Sequence, residues 1–182
     1  MLAPPIAHLE AINRATLNAC LEQWGHRMGP YLRPSYKNDW MHALFHNGDP
    51  VAVAAASQLI APRVAGFSRA EAFELARLCA ARPHLNRVML RLWREFVGVS
   101  IAQQEGYRAV VSYQDKKQHT GNTYRFDGWA RLAESRSGTD ARALAGTRSG
   151  RSKIIWAWEF EKKKGQGTDP LPLVAGSSSP PG

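Results

Sequence analysis

Cysteine is scarce in this chain, which holds only Cys20 and Cys79. The two lie far apart in apolar surroundings and match no metal-ligand spacing. They are expected to be buried free thiols of a cytoplasmic protein, with no metal site. Long apolar runs are missing as well. None approaches the roughly 20 residues that a membrane span requires, and Met1 to Ala7 is too short, and lacks the basic start, for a secretory signal. Acidic residues are few: 15 Asp and Glu stand against 24 Lys and Arg, a formal net charge of +9. From Lys116 to Lys153 nine basic residues face three acidic ones, so +6 of the +9 falls in one segment. Clustered positive charge is the footprint of a polyanionic partner such as nucleic acid; the competing reading is simple solubility in an arginine-rich chain.

What remains is ordinary for a globular protein. A hydrophobic fraction of 44% over 182 residues supports one domain with a real core plus extensions. Apolar positions Leu9, Ile12, Leu17, Cys20 and Leu21 predict an amphipathic helix over residues 6–24, ended by Gly25. The irregular segment from His26 to Pro34 follows. Two strands, Trp40 to Phe45 and Val51 to Ile60, flank His46-Asn47-Gly48-Asp49-Pro50, a strong hairpin signal. Residues 70–79 fit a strand or a helix, and periodicity alone does not choose. Leu85 to Val97 reads as a helix with Met89, Leu92, Trp93 and Phe96 on one side and its arginines elsewhere, ahead of a short linking segment, Gly98 to Gly106. A short strand, Ala130 to Leu132, precedes a basic loop over 133–152 carrying Arg136, Arg142, Arg148 and Arg151, and Lys153 to Phe160 is a last strand. These elements predict one mixed α/β domain over residues 6–160, its sheet covered by helices, and a disordered Lys/Gly/Ser/Pro tail over 161–182.

The chain is organised around Ser112 to Trp129, SYQDKKQHTGNTYRFDGW. The β-branched run just before it, Arg108 to Tyr113, predicts a buried strand, and Asn122 to Asp127 a short helix stopped by Gly128. Asp115 and His119 then sit in the loop at the carboxyl end of a strand, where open α/β sheets place ligand sites. Taken singly, Asp115 also fits a turn former, His119 a solvated loop residue, and Tyr124 and Trp129 core aromatics. Upstream, Ala80 to Arg87 joins the 70–79 segment to the 85–97 helix. A basic loop entering a helix N-terminus favours anions through unpaired N–H groups and the helix dipole.

Ser112-Tyr113, Asp115, His119-Thr120-Gly121, Tyr124 and Gly128-Trp129 resemble the signature of the phage Mom DNA-modification proteins, divergent members of the GNAT acyltransferase superfamily. Lys116 and Lys117 depart from the small or acidic residues usual after the aspartate. The resemblance implies a GNAT-like, mostly antiparallel sheet with residues 70–79 as its long central strand. It also implies acyl-type transfer from an acetyl-CoA-type cofactor to an amine of a DNA base, adenine in duplex DNA. The cofactor turn falls on Arg82, Leu85, Asn86 and Arg87, with Leu85 and Arg87 where other GNAT enzymes carry glycine. Asp115 or His119 would take the amine's proton and Tyr124 would protonate the leaving thiolate. Substrate contacts would come from His26, Arg27, Ser112 and Tyr113, with Arg136, Arg142, Arg148 and Arg151 gripping phosphates. The alternatives are an ordinary N-acetyltransferase acting on a small amine or a protein, and a non-catalytic DNA-binding or antirestriction protein.

Overall fold

The computed structural model describes residues 6–33, 39–135 and 152–161. Arg136, Arg142, Arg148, Arg151 and the tail beyond residue 161, for which the sequence raises expectations, lie outside the described residues. The sheet begins with β1 (Ala7–Ala11), followed by helix α1 (Arg14–Gln23), β2 (Asp39–His46) and β3 (Asp49–Gln58). Two short strands, β4 (Arg63–Val64) and β5 (Phe67–Ser68), pair with each other, and β6 (Ala72–Ala80) resumes the sheet. A long helical crossover follows: α2 (Leu85–Leu92), a π-helical turn (Trp93–Gly98) and α3 (Val99–Glu105). Then come β7 (Ala109–Asp115), α4 (Asn122–Phe126), β8 (Ala130–Ser135) and β9 (Lys153–Glu159). The seven strands lie in the order β1-β2-β3-β6-β7-β9-β8, and every neighbouring pair is antiparallel except β6 with β7. This is the mixed, mostly antiparallel α/β sheet covered by helices that the sequence predicts.

The single helix expected over residues 6–24 is corrected: it divides into β1 and α1. β1 pairs along β2 from Ala7 with His46 to Ala11 with His42. Asn13 then caps α1 by accepting the Thr16 N–H at 2.9 Å. Leu9 and Ile12 fit a helical stripe, but a five-residue segment takes its structure from the strand it can join. The Gly98–Gly106 linking segment is helical and ends the crossover, closed by Gly106 at φ 77. The hairpin stands as expected, with Asn47 (φ 52) and Gly48 (φ 88) between the paired residues His46 and Asp49.

Alternation along the strands makes two cores. Ala52, Ala54, Ala56, Phe73, Leu75 and Val110 face the crossover helix, packed on Met89, Leu90 and Trp93. On the other face Ala43, Val53, Ala55 and Cys79 meet α1 through Leu17, Cys20 and Leu21, while Ala109, Val111 and Ile155 pack towards β4 and β5. Both cysteines are buried and free, as expected. The run of alanines on β3 lets elements approach closely from both sides.

Candidate active site at a strand fork

β6 and β7 pair for only four residue pairs, Ala72 to Leu75 with Ala109 to Ser112. Both strands run on, to Ala80 and Asp115, without pairing to each other. β6 carries a bulge where they part: Leu75 opposes Ala56 and Arg77 opposes Ala55, leaving Ala76 as the extra residue. The result is a fork opening at the carboxyl ends of two parallel strands, its walls lined by backbone polar groups without a strand partner.

The apex of the fork is held by side chains. The Ser112 hydroxyl donates to the Leu75 carbonyl at 2.9 Å. With its one proton committed there, Ser112 Oγ accepts from the Tyr124 hydroxyl at 2.8 Å. Burial pushes the Tyr124 pKa above the usual phenol range, the Ser112 hydrogen bond opposes it, and the nearby Glu74 carboxylate adds to the rise. The phenol therefore stays protonated at neutral pH. Its ring stacks on Trp156 (5.7 Å, 15°) and meets Trp129 edge-on (5.4 Å).

Gly121 lets the chain pass close enough to put Tyr124 there. It adopts φ 77, and a Cβ at that position would lie 2.5 Å from Gln114 Oε1 and 2.9 Å from Trp156. Gln114 accepts from Trp156 Nε1 at 2.7 Å and donates to the His119 carbonyl, so one amide fixes both the ring under Tyr124 and the loop before it. After α4, Asp127 is fully buried. It accepts from Arg94 Nε and Arg91 Nε, each at 2.9 Å, and from Trp129 Nε1 at 3.1 Å. Arg94 lies in the π-helical turn with its guanidinium 3.7 Å from the Trp158 ring centroid. Arg94 is buried, as the counter-ion of Asp127.

The other predicted residues distribute around the fork. Strand alternation turns Ser112 and Gln114 to the Tyr124 face and Tyr113 to the opposite one. Asp115, two residues beyond Tyr113, shares that opposite face. Asp115 and Tyr124 are thus set on opposite sides of β7 and are not brought together as a single unit. Asp115 Oδ1 accepts the Lys117 N–H at 3.0 Å, which shapes the loop. His119 is exposed but close enough to His26 to affect it. Burial, then the positive charge of Arg77, then His119 lower the His26 pKa to about 4, so its imidazole is neutral at pH 7. Arg27 is exposed. On the cofactor side Arg82 and Arg87 are exposed, with Arg87 over the Phe126 ring at 5.6 Å. Backbone bonds from Leu85 N to Arg82 O and from Asn86 N to Pro83 O form the turn into α2, and Asn86 Oδ1 is buried without a partner among the described residues.

Glu74, Arg33, Arg77 and Tyr31 enter this site although the sequence reading did not single them out. Glu74, buried on β6, accepts both Arg33 guanidinium nitrogens, at 2.9 and 2.6 Å. Tyr113 beside them has its pKa raised to about 12 by burial and the Glu74 charge. Arg77 lies over the Tyr31 ring at 5.6 Å. No cluster of metal-ligating side chains occurs among the described residues, and no described helix is long and apolar enough to cross a membrane.

No family model and no curated protein matches the chain. Solved structures do. A protein from Desulfovibrio desulfuricans, assigned as a GNAT-family acetyltransferase, aligns with a TM-score of 0.55 at 14% identity, over 84% of this chain and 98% of its own. The fold is the GNAT fold. The aminoglycoside 6′-N-acetyltransferase of Enterococcus faecium shares this GNAT-like shape at 10% identity with a TM-score of 0.57, covering 85% of this chain and 98% of that one. YncA of Salmonella typhimurium, named as an acetyltransferase and solved with its cofactor acetyl-CoA, aligns at 9% identity with a TM-score of 0.58, over 88% of this chain and 98% of its own. Identities this low speak for the fold alone.

Proposed function

We propose that this GNAT-fold protein transfers an acyl group from a coenzyme A thioester to an amine of a nucleic-acid base, adenine in duplex DNA. The observation that carries the acyl-transfer part is the fork between β6 and β7 with the Tyr124 hydroxyl at its apex. The residues fit such a cofactor. The unpaired edges of β6 and β7 offer amide partners to an extended chain carrying its own amides. Arg82 and Arg87 at the start of α2 offer charge to phosphates. When bound, the thioester supplies an activated acyl carbon. Tyr124, held protonated, would turn its one hydroxyl proton from Ser112 Oγ towards the thioester sulfur and stabilise the leaving thiolate. Asp115 at the end of β7, or His119 in the exposed loop after it, takes the proton that the amine sheds.

The acceptor is argued from charge and resemblance. The net charge of +9 suits a polyanion, and Arg136, Arg142, Arg148 and Arg151 are proposed to contact its phosphates. A base inside a duplex must leave the stack to be reached. A small-amine acceptor is the second reading, supported by the polar cluster of Glu74, Arg33 and Arg77 that lies under the fork. The test is mass spectrometry of nucleosides from duplex DNA incubated with the protein and acetyl-CoA. An acylated adenine is the expected product. Unmodified nucleosides, together with acylation of small amines in the same assay, would move the acceptor to the second reading.

A further inference from the structure

Arg77 is the most anomalous charge in the molecule. It is 8% exposed, on a strand, one residue past the bulge at which β6 leaves β7. Its Nη1 donates to the Ala76 carbonyl at 2.9 Å, and its Nε is buried with no partner among the described residues. Glu74 favours its charge from nearby but gives it no hydrogen bond, since both carboxylate oxygens already receive Arg33. The segment between Arg33 and Asp39, Pro-Ser-Tyr-Lys-Asn, contains no carboxylate either. Burial and the Arg33 charge both disfavour the charged form of Arg77. A buried guanidinium left this way costs several kcal/mol unless something anionic meets it. The charged groups that act on it are Arg33, which disfavours its charge, and Glu74, which favours it, with the neutral His26 nearby.

We infer that Arg77 is the anchor of an oxyanion subsite on the acceptor side of the fork, built to take a phosphate or carboxylate of the acceptor molecule. The Nε–Nη2 edge of a guanidinium presents two parallel donors, which matches the oxygen pair of either group. The face is the one that carries Tyr113 and Asp115, opposite Tyr124. An acceptor pinned there by its anion approaches the fork from the side away from the tyrosine. Arg33 is withheld from this role by Glu74, which leaves Arg77 as the discriminating cation. The assignment of the ligand as the acceptor rests on the acyl-transfer reading; the existence of the anion site does not.

Two matched pairs of probes test it, by calorimetry without any thioester present: dAMP against deoxyadenosine, and lysine against cadaverine, which lacks the carboxylate. In one pair the member that carries the phosphate or carboxylate is expected to bind at least about tenfold more tightly, as a charged hydrogen bond would give. That pair identifies the source of the oxyanion. Arg77→Gln is expected to abolish the preference through loss of affinity for the probe that carries the oxyanion. No preference in either pair, or a preference that survives in Arg77→Gln, would overturn the subsite. If Arg77→Gln fails to fold, a crystal of the unaltered protein with the preferred probe decides, since an anion seated away from Arg77 refutes the proposal. A protein that shows the preference yet never acylates anything keeps the subsite and loses the acyl-transfer reading.

Discussion

Tyr124→Phe is expected to lower turnover of thioester-dependent acylation by about 10²–10³-fold, the usual loss when one preorganised donor to developing charge is removed. The phenyl ring fills the same space, stacked on Trp156 and edge-on to Trp129, so the fold and melting temperature should hardly change. Only the hydroxyl is lost. Ser112 keeps its bond to the Leu75 carbonyl, and the apex of the fork stays closed. Since the tyrosine is protonated throughout the neutral range, its removal should depress kcat across that range without introducing a new ionisation into the pH profile. A variant with undiminished turnover would take the tyrosine out of the chemistry. A variant that unfolds would make it a core residue.

Asp127→Ala should destabilise the protein by about 3 kcal/mol in urea unfolding, because it removes the buried partner of Arg94 and leaves that guanidinium only Glu95, at 2.8 Å and half exposed. The exposed side chain of Arg91 contributes little to that figure, being mostly in water already. The same carboxylate fixes Trp129, whose backbone N–H bonds the Tyr124 carbonyl at 3.0 Å; Asp127 is thus a latch on α4, which loosens when it is removed. The double variant Asp127→Leu with Arg94→Met, which removes both charges, should recover most of the loss. A loss below about 1 kcal/mol in Asp127→Ala would show that water reaches Arg94 and that the latch does not hold α4.

Much of this arrangement is legible in the sequence, and the places where it is not have physical causes. The Asn47-Gly48 turn, the strand into Ser112 and the glycine before Tyr124 are local signals, and each stands where residue chemistry puts it. β1 was misread because five residues carry too little pattern to tell an edge strand from the first turn of a helix. Parity decided the fate of Asp115: a strand reaching only to Tyr113 frees it to fold towards Tyr124, whereas β7 runs on through Asp115 and commits it to the other face. Glu74 and Arg77 were visible as charges inside a run of apolar strand residues, which marks a buried polar site whatever the period. The bulge at Ala76 and the parting of β6 from β7 have no residue signature, since they belong to the pairing of strands distant in sequence.

Hydrogen exchange on β6 and β7, with and without acetyl-CoA, tests the central claim most directly. Backbone amides that face the open fork have no strand partner to protect them. A thioester whose pantetheine chain lies between the strands should slow exchange in peptides covering Ala76–Ala80 and Tyr113–Asp115, leaving the paired Ala72–Leu75 and Ala109–Ser112 as they were. Unchanged exchange in the fork at saturating acetyl-CoA, or protection confined to another face of the sheet, would contradict the account.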